Sequence, residues 1–140
     1  MAKPGRRHEE AKAPHRLILD SGEVIALSRG DQRARATLAA ARELGVEISI
    51  PSVVVAETVR GAAKDAPVNR VIKAVGEVTT ADESTGRVAG QLLGAARSAA
   101  TIDALVVASA IDLGGGVVLT GDPDDLGRLA AGHRVVIEPL

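Results

Sequence analysis

Short apolar runs alternate with helix-patterned stretches along almost the whole chain, and that alternation limits the fold more than any other feature. Arg16–Leu19, Glu47–Ile50, Val117–Thr120 and Arg134–Ile137 read as strands, with a shorter one at Val78–Thr79. Between them, Ser21–Leu27, Gln32–Leu44, Val53–Arg60, Asp82–Arg97, Ile102–Leu113 and Pro123–Ala130 read as helices. Val68, Val71, Ile72 and Val75 add the i, i+3, i+4, i+7 face of another. Pro51 is expected to stop the second strand, Gly61 to close the Val53–Arg60 helix, and Gly114–Gly116 to end Ile102–Leu113. Strands interleaved with helices imply a parallel sheet covered on both faces, joined by right-handed crossovers.

The chain has 140 residues, the size of one domain. It contains no Phe, Trp, Tyr or Cys. Its core must therefore be Val, Leu, Ile and Ala, with helices packed closely on small residues. No disulfide or catalytic thiol is available, which fits a reducing, cytoplasmic setting. Residues 1–16 carry five basic and two acidic residues, a net +3, so the remainder carries −4 of the overall −1. Residues 1–15 contain Pro4, Gly5 and Pro14 and lack apolar periodicity, so a disordered basic head is expected before a folded unit at 16–140. The head has no apolar stretch of the signal-peptide kind, and the chain has no run of about 18 apolar residues that would span a membrane.

Four acids sit against apolar sequence. Asp20 ends Leu17-Ile18-Leu19, Glu57 lies within Val53–Val59, Asp103 opens Ala104–Ala108, and Asp122 follows Val117–Thr120. Acidic residues are seldom buried unless paired or bound to metal. In open parallel sheets, sites form beyond the carboxyl ends of the strands. Asp20 and Asp122 fall there, and Asp103 begins a helix that can face the same edge. Each acid also has a plainer reading. Asp122 can cap the helix that Pro123 starts. Thr101 can cap the next-to-last helix while Asp103 complements its dipole. Glu57 can face solvent, and Asp20 can belong to a turn. Glu43, Glu47, Asp65, Glu77, Asp82 and Glu83 read as solvated surface, and His8, His15 and His133 have no metal-ligand spacing.

Leu17-Ile18-Leu19-Asp20-Ser21-Gly22, Val55-Ala56-Glu57-Thr58-Val59-Arg60-Gly61, Thr101-Ile102-Asp103-Ala104-Leu105 and Leu119-Thr120-Gly121-Asp122-Pro123-Asp124-Asp125-Leu126 together resemble the successive motifs of a PIN domain. The resemblance spans about residues 16–138, and a free-standing domain of this length is similar to a VapC-type toxin. Many relatives carry aromatic residues in the core and near the site, and this chain departs from them there. The resemblance implies a three-layer α/β/α sandwich and an endoribonuclease acting as the toxin of a type II toxin–antitoxin pair. Its implied catalytic acids are Asp20, Glu57, Asp103 and Asp122, with Thr120 supporting the fourth acid and Asp124 or Asp125 adding an outer contact. Its implied partners are an RNA substrate, a cognate antitoxin and a second copy of the chain.

Phosphodiester cleavage needs an activated water and stabilised charge on the leaving oxygen, which divalent ions supply. Mg²⁺ suits carboxylate and phosphate oxygens, with Mn²⁺ an alternative. Two carboxylates about 5 Å apart repel by roughly 3 kcal/mol at an effective dielectric near 20, so four clustered acids call for a cation. Asp20, Asp103 and Asp122 are the expected metal ligands. Without aromatic stacking, RNA must be held by cations, and Arg29, Arg33, Arg35, Arg60 and Lys64 are the candidates. Two rivals remain. A phosphatase or phosphoacceptor built on Asp20 lacks the late lysine such sites use, since the last lysine is Lys73. A non-catalytic RNA- or partner-binding domain has no need of the full acidic set.

Overall fold

The computed structural model describes residues 16–140, so the expectation of a disordered head at 1–15 lies outside the described residues. Five strands, β1 (Arg16–Leu19), β2 (Glu47–Pro51), β3 (Val78–Thr79), β4 (Gly116–Thr120) and β5 (Val135–Pro139), form one sheet. All pairs are parallel, in the order β3-β2-β1-β4-β5. Seven α-helices flank it: α1 (Ser21–Ser28), α2 (Gln32–Glu43), α3 (Ser52–Thr58), α4 (Ala66–Val75), α5 (Glu83–Ala96), α6 (Thr101–Asp112) and α7 (Pro123–Ala130). The expected α/β sandwich is therefore present.

The order reverses at β1, whose neighbours β2 and β4 come from opposite directions along the chain. Right-handed crossovers then send the helices to opposite faces. α1 packs with α2 and α4 on one side, and α5, α6 and α7 pack together on the other. α3 bridges α1 and α6. Ile18, Leu19, Ile50 and Val118 in the strands and Val24, Val54, Val106, Val107 and Leu126 in the helices are almost wholly enclosed. α6 is apolar nearly all round because it is enclosed by neighbours on most sides. Among the described residues no single helix is long and apolar enough to cross a membrane.

Several boundaries differ from the sequence expectation. β2 runs through Pro51, which pairs with Thr79 of the short edge strand β3. Proline is tolerated there because the sheet is ending. α3 stops at Thr58 rather than at Arg60, and Val59 is extended. The reason is Asp65, expected on the solvated surface but only 5% exposed. Its carboxylate accepts the backbone N–H groups of Arg60, Gly61 and Ala62 at 2.9, 2.7 and 3.0 Å. Those three donors hold its carboxyl below the usual carboxylate range. Asp82, also expected on the surface, caps α5 by accepting the Thr85 backbone N–H at 3.0 Å.

Candidate active site

β1 delivers Asp20 at its carboxyl end, where the residue becomes the N-cap of α1. Oδ1 accepts the Ser21 backbone N–H at 2.8 Å. Oδ2 accepts the Thr120 hydroxyl at 2.6 Å across the β1–β4 junction. Thr120 is fully buried and in turn accepts the Asp122 backbone N–H at 2.9 Å. Thr120 thus donates to the first acid and orients the backbone of the fourth. Thr120 meets the fourth acid through its main chain and not through the Asp122 carboxylate.

The capping readings of the other acids are not realised. Asp122 occupies the N-cap position of α7, yet its side chain makes no capping bond. Thr101 is the first residue of α6 rather than its cap, and the N-cap position belongs to Ala100. The Ser98 hydroxyl accepts the Ala100 N–H at 3.1 Å instead. Asp103 does lie in the first turn of α6, where its charge complements the helix dipole as expected, and neither it nor Asp122 is engaged in a capping bond.

Asp103, Asp122 and Asp125 converge, each offering a carboxylate oxygen within 4.8 Å of the other two. The convergence has a local origin. Pro123 starts α7, and a helical turn places Asp125 three residues beyond Asp122 on the same side. The sequence reading ranked Asp125 below Asp20, whereas the geometry puts it in the tightest group. Asp124 is not part of that group. Asp125 is also paired with Arg128 on the next turn.

The electrostatics tie the remaining acids to the three. The Asp103 carboxyl is pushed up to about 6, first by burial and then by the charges of Asp20, Asp122, Glu57 and Asp125. Partial desolvation and the charges of Asp125 and Asp124 raise Asp122. Glu57, exposed on α3, is raised by desolvation and by Asp20, with the Ser21 hydroxyl and Arg60 opposing. All four expected acids thus share one electrostatic neighbourhood at the carboxyl edge of the sheet. Of the expected RNA-holding cations, Arg60 stands beside Glu57. Its Nη1 donates to the Ala56 and Val59 carbonyls at 3.0 and 2.9 Å.

The donor set fits a hard divalent cation. Mg²⁺ binds oxygen at about 2.0–2.1 Å, so opposed ligands stand about 4.2 Å apart. The 4.8 Å limit on the three carboxylate oxygens is close to that span. Asp103, Asp122 and Asp125 match such an ion in charge and in oxygen chemistry, and Asp20 stands next in line.

Whole-chain comparisons place the fold among known proteins. A family model for the PIN domain matches residues 17–132. VapBC2 from Rickettsia felis, in a structure bound to a DNA fragment from its promoter, superposes with a TM-score of 0.73 at 15% identity, covering 89% of this chain and 98% of that one. A toxin–antitoxin complex from Klebsiella pneumoniae gives 0.67 at 20% identity, covering 86% and 95%. FitAcB from Neisseria gonorrhoeae gives 0.62 at 19% identity, over the same shares. At these identities the likeness to solved structures is one of fold. Comparison with curated proteins finds no match. With the family's motifs in order and its model matched over nearly the whole described chain, this chain belongs to the PIN domain family.

Proposed function

We propose that this protein is a metal-dependent endoribonuclease and the toxin of a VapC-type, type II toxin–antitoxin pair. The observation that carries the reading is the convergence of Asp103, Asp122 and Asp125 from two helices, with Asp20 and Glu57 acting electrostatically on the same point. That the structural neighbours include toxin–antitoxin complexes supports the toxin assignment.

Asp103, Asp122 and Asp125 would hold a divalent ion, Mg²⁺ or Mn²⁺, with Asp20 as a further oxygen ligand beside them, leaving its other positions to water and phosphate oxygen. The ion, when bound, supplies positive charge for water activation and for the leaving oxygen. Thr120 fixes the Asp20 carboxylate so that its position does not drift as the acids repel. Glu57, at the exposed rim, positions the attacking water and accepts its proton on a carboxylate oxygen. Arg60 offers its guanidinium to the phosphate that the acidic site alone would repel. An RNA strand is the substrate, an antitoxin covers the site in the cell, a second copy completes a homodimer, and the location is cytoplasmic.

The test is cleavage of RNA in Mg²⁺ by purified wild type and Asp20→Asn, with thermal melts in metal-free buffer alongside. We expect Asp20→Asn to remain folded and to lose about a hundredfold or more in rate. Wild-type-like cleavage by the folded variant removes Asp20 from the site and undoes the mechanism.

A further inference from the structure

The helix layers leave part of the sheet bare. Leu17, Val117 and Val136 form one row across β1, β4 and β5, and Leu19, Leu119 and Glu138 form the next, on the same face. α1 covers this face at β1 and β4. On β5, Val136 remains 52% exposed, whereas Val135, on the opposite face, is 8% exposed. The result is a groove of about 690 Å³ floored by Leu17, Val117, Leu119 and Val136 and walled by α1 and α2.

One side chain lining this groove is out of place. Glu23 of α1 is 3% exposed, and the acidic site makes no use of it. No described residue pairs with its carboxylate, whose oxygens are not sealed away but open into the groove. A buried carboxylate is costly unless a cation meets it. Asp31 and Glu138 add two more acids to the lining, against Arg33 as its one basic residue. Asp31 commits Oδ1 to the Ala34 N–H at 2.8 Å, which leaves its second oxygen available.

These features select a ligand. The volume falls in the range of small-molecule sites, which combine apolar walls with a few placed polar groups. The acids line an apolar floor, and the convergent carboxylates of the described chain lie elsewhere, so a hydrated metal ion is a poor fit. A second copy would set like charges against each other, and RNA would meet an acidic lining. Ammonium groups joined by methylene chains answer both the acids and the floor. We propose that this groove binds a linear alkylpolyamine, with one ammonium on Glu23, its methylenes on Val117 and Val136, and a second ammonium toward Glu138 or Asp31.

The proposal is independent of the acidic cluster, and its test keeps the two apart. Spermidine is titrated calorimetrically into the purified full chain with Mg²⁺ in excess, so that the acidic cluster does not compete for it, with methyl NMR spectra recorded in parallel. Saturable one-to-one binding is expected, with shifts at Val117, Val136 and Leu140. Glu23→Gln should weaken binding by about tenfold or more, the worth of one charge-assisted contact. The exposed-rim variant Glu138→Gln, which does not disturb the core, should weaken it by a smaller factor. Asp103→Asn/Asp122→Asn should bind as wild type does. Non-saturating heats overturn the proposal, as does binding lost in Asp103→Asn/Asp122→Asn but kept in Glu23→Gln. Binding of the peptide N-acetyl-Leu-Arg-Leu-amide through Glu23, with spermidine inert, overturns it in favour of a polypeptide partner.

Discussion

Thr120 carries two bonds through one hydroxyl. Its hydroxyl donates to Asp20 and accepts from the Asp122 main chain, deep in the β1–β4 junction. Thr120→Val keeps the shape and removes both bonds, leaving a buried carboxylate oxygen and an N–H unmet. The expected cost is about 1–3 kcal/mol in metal-free denaturant melts, with Thr120→Ser recovering most of it. A neutral Thr120→Val would show that the junction does not depend on the hydroxyl. Asp103 gives the opposite sign. Its folded carboxyl titrates at about 6, above the ordinary 3.8, so the folded state holds that proton more tightly than the unfolded chain. The associated stability is full below about pH 4 and is lost as pH rises through about 6. Asp103→Asn should therefore stabilise the metal-free protein by about 1 kcal/mol at neutral pH, a value reduced for solvent screening of this partly exposed group. The gain should vanish in melts at acidic pH. A pH-independent difference would remove the charge explanation. At this scale the acids were legible because each interrupts apolar sequence. Glu23 was not, since it sits in a short helix where one polar residue looks like an ordinary solvent face. The burial of Glu23 depends on where β4 and β5 fall relative to α1, which is long-range information.

At the scale of elements, the loop after α3 shows how a single acid sets a boundary. The run Val53–Arg60 carries helical residues to its end, and Gly61 is a reasonable stop. Asp65 nevertheless captures the N–H groups of residues 60–62 and pulls the chain out of the helix two residues early. Residue type alone gave no hint, because an Asp beside Lys64 and just before Pro67 reads as exposed loop. The same bonds fix the main chain of Arg60 beside Glu57, at the proposed site. Asp65→Asn loses the charge that three donors share and lowers the melting temperature by several degrees. It should also loosen the loop, seen as faster amide exchange at Arg60, Gly61 and Ala62. Unchanged exchange there would mean that the loop is held by other contacts. The central helices and strands, by contrast, were legible almost residue for residue. Their apolar periodicity and their Gly and Pro punctuation agree with the final packing, as in α7, which begins at Pro123 as expected.

For the molecule as a whole, topology does the assembling. A parallel sheet whose order reverses at β1 brings the ends of β1 and β4 together. It thereby joins Asp20 to Thr120 across a hundred residues of sequence. α6 and α7 lean over the same edge with Asp103, Asp122 and Asp125. Neither the strand order nor the convergence of those oxygens can be read from spacing, and the family motifs point to Asp103 and Asp122 but give Asp125 only an outer place. The acids repel one another until a cation joins them, so loading should raise stability with metal concentration. The central question is whether these carboxylates form one divalent site. Calorimetric titration of Mn²⁺ into metal-free wild type and into Asp103→Asn/Asp122→Asn, both confirmed folded by thermal melt, decides it. Saturable binding in wild type and a loss of at least about tenfold in the double variant is the predicted result. Equal heats in the two proteins would contradict it.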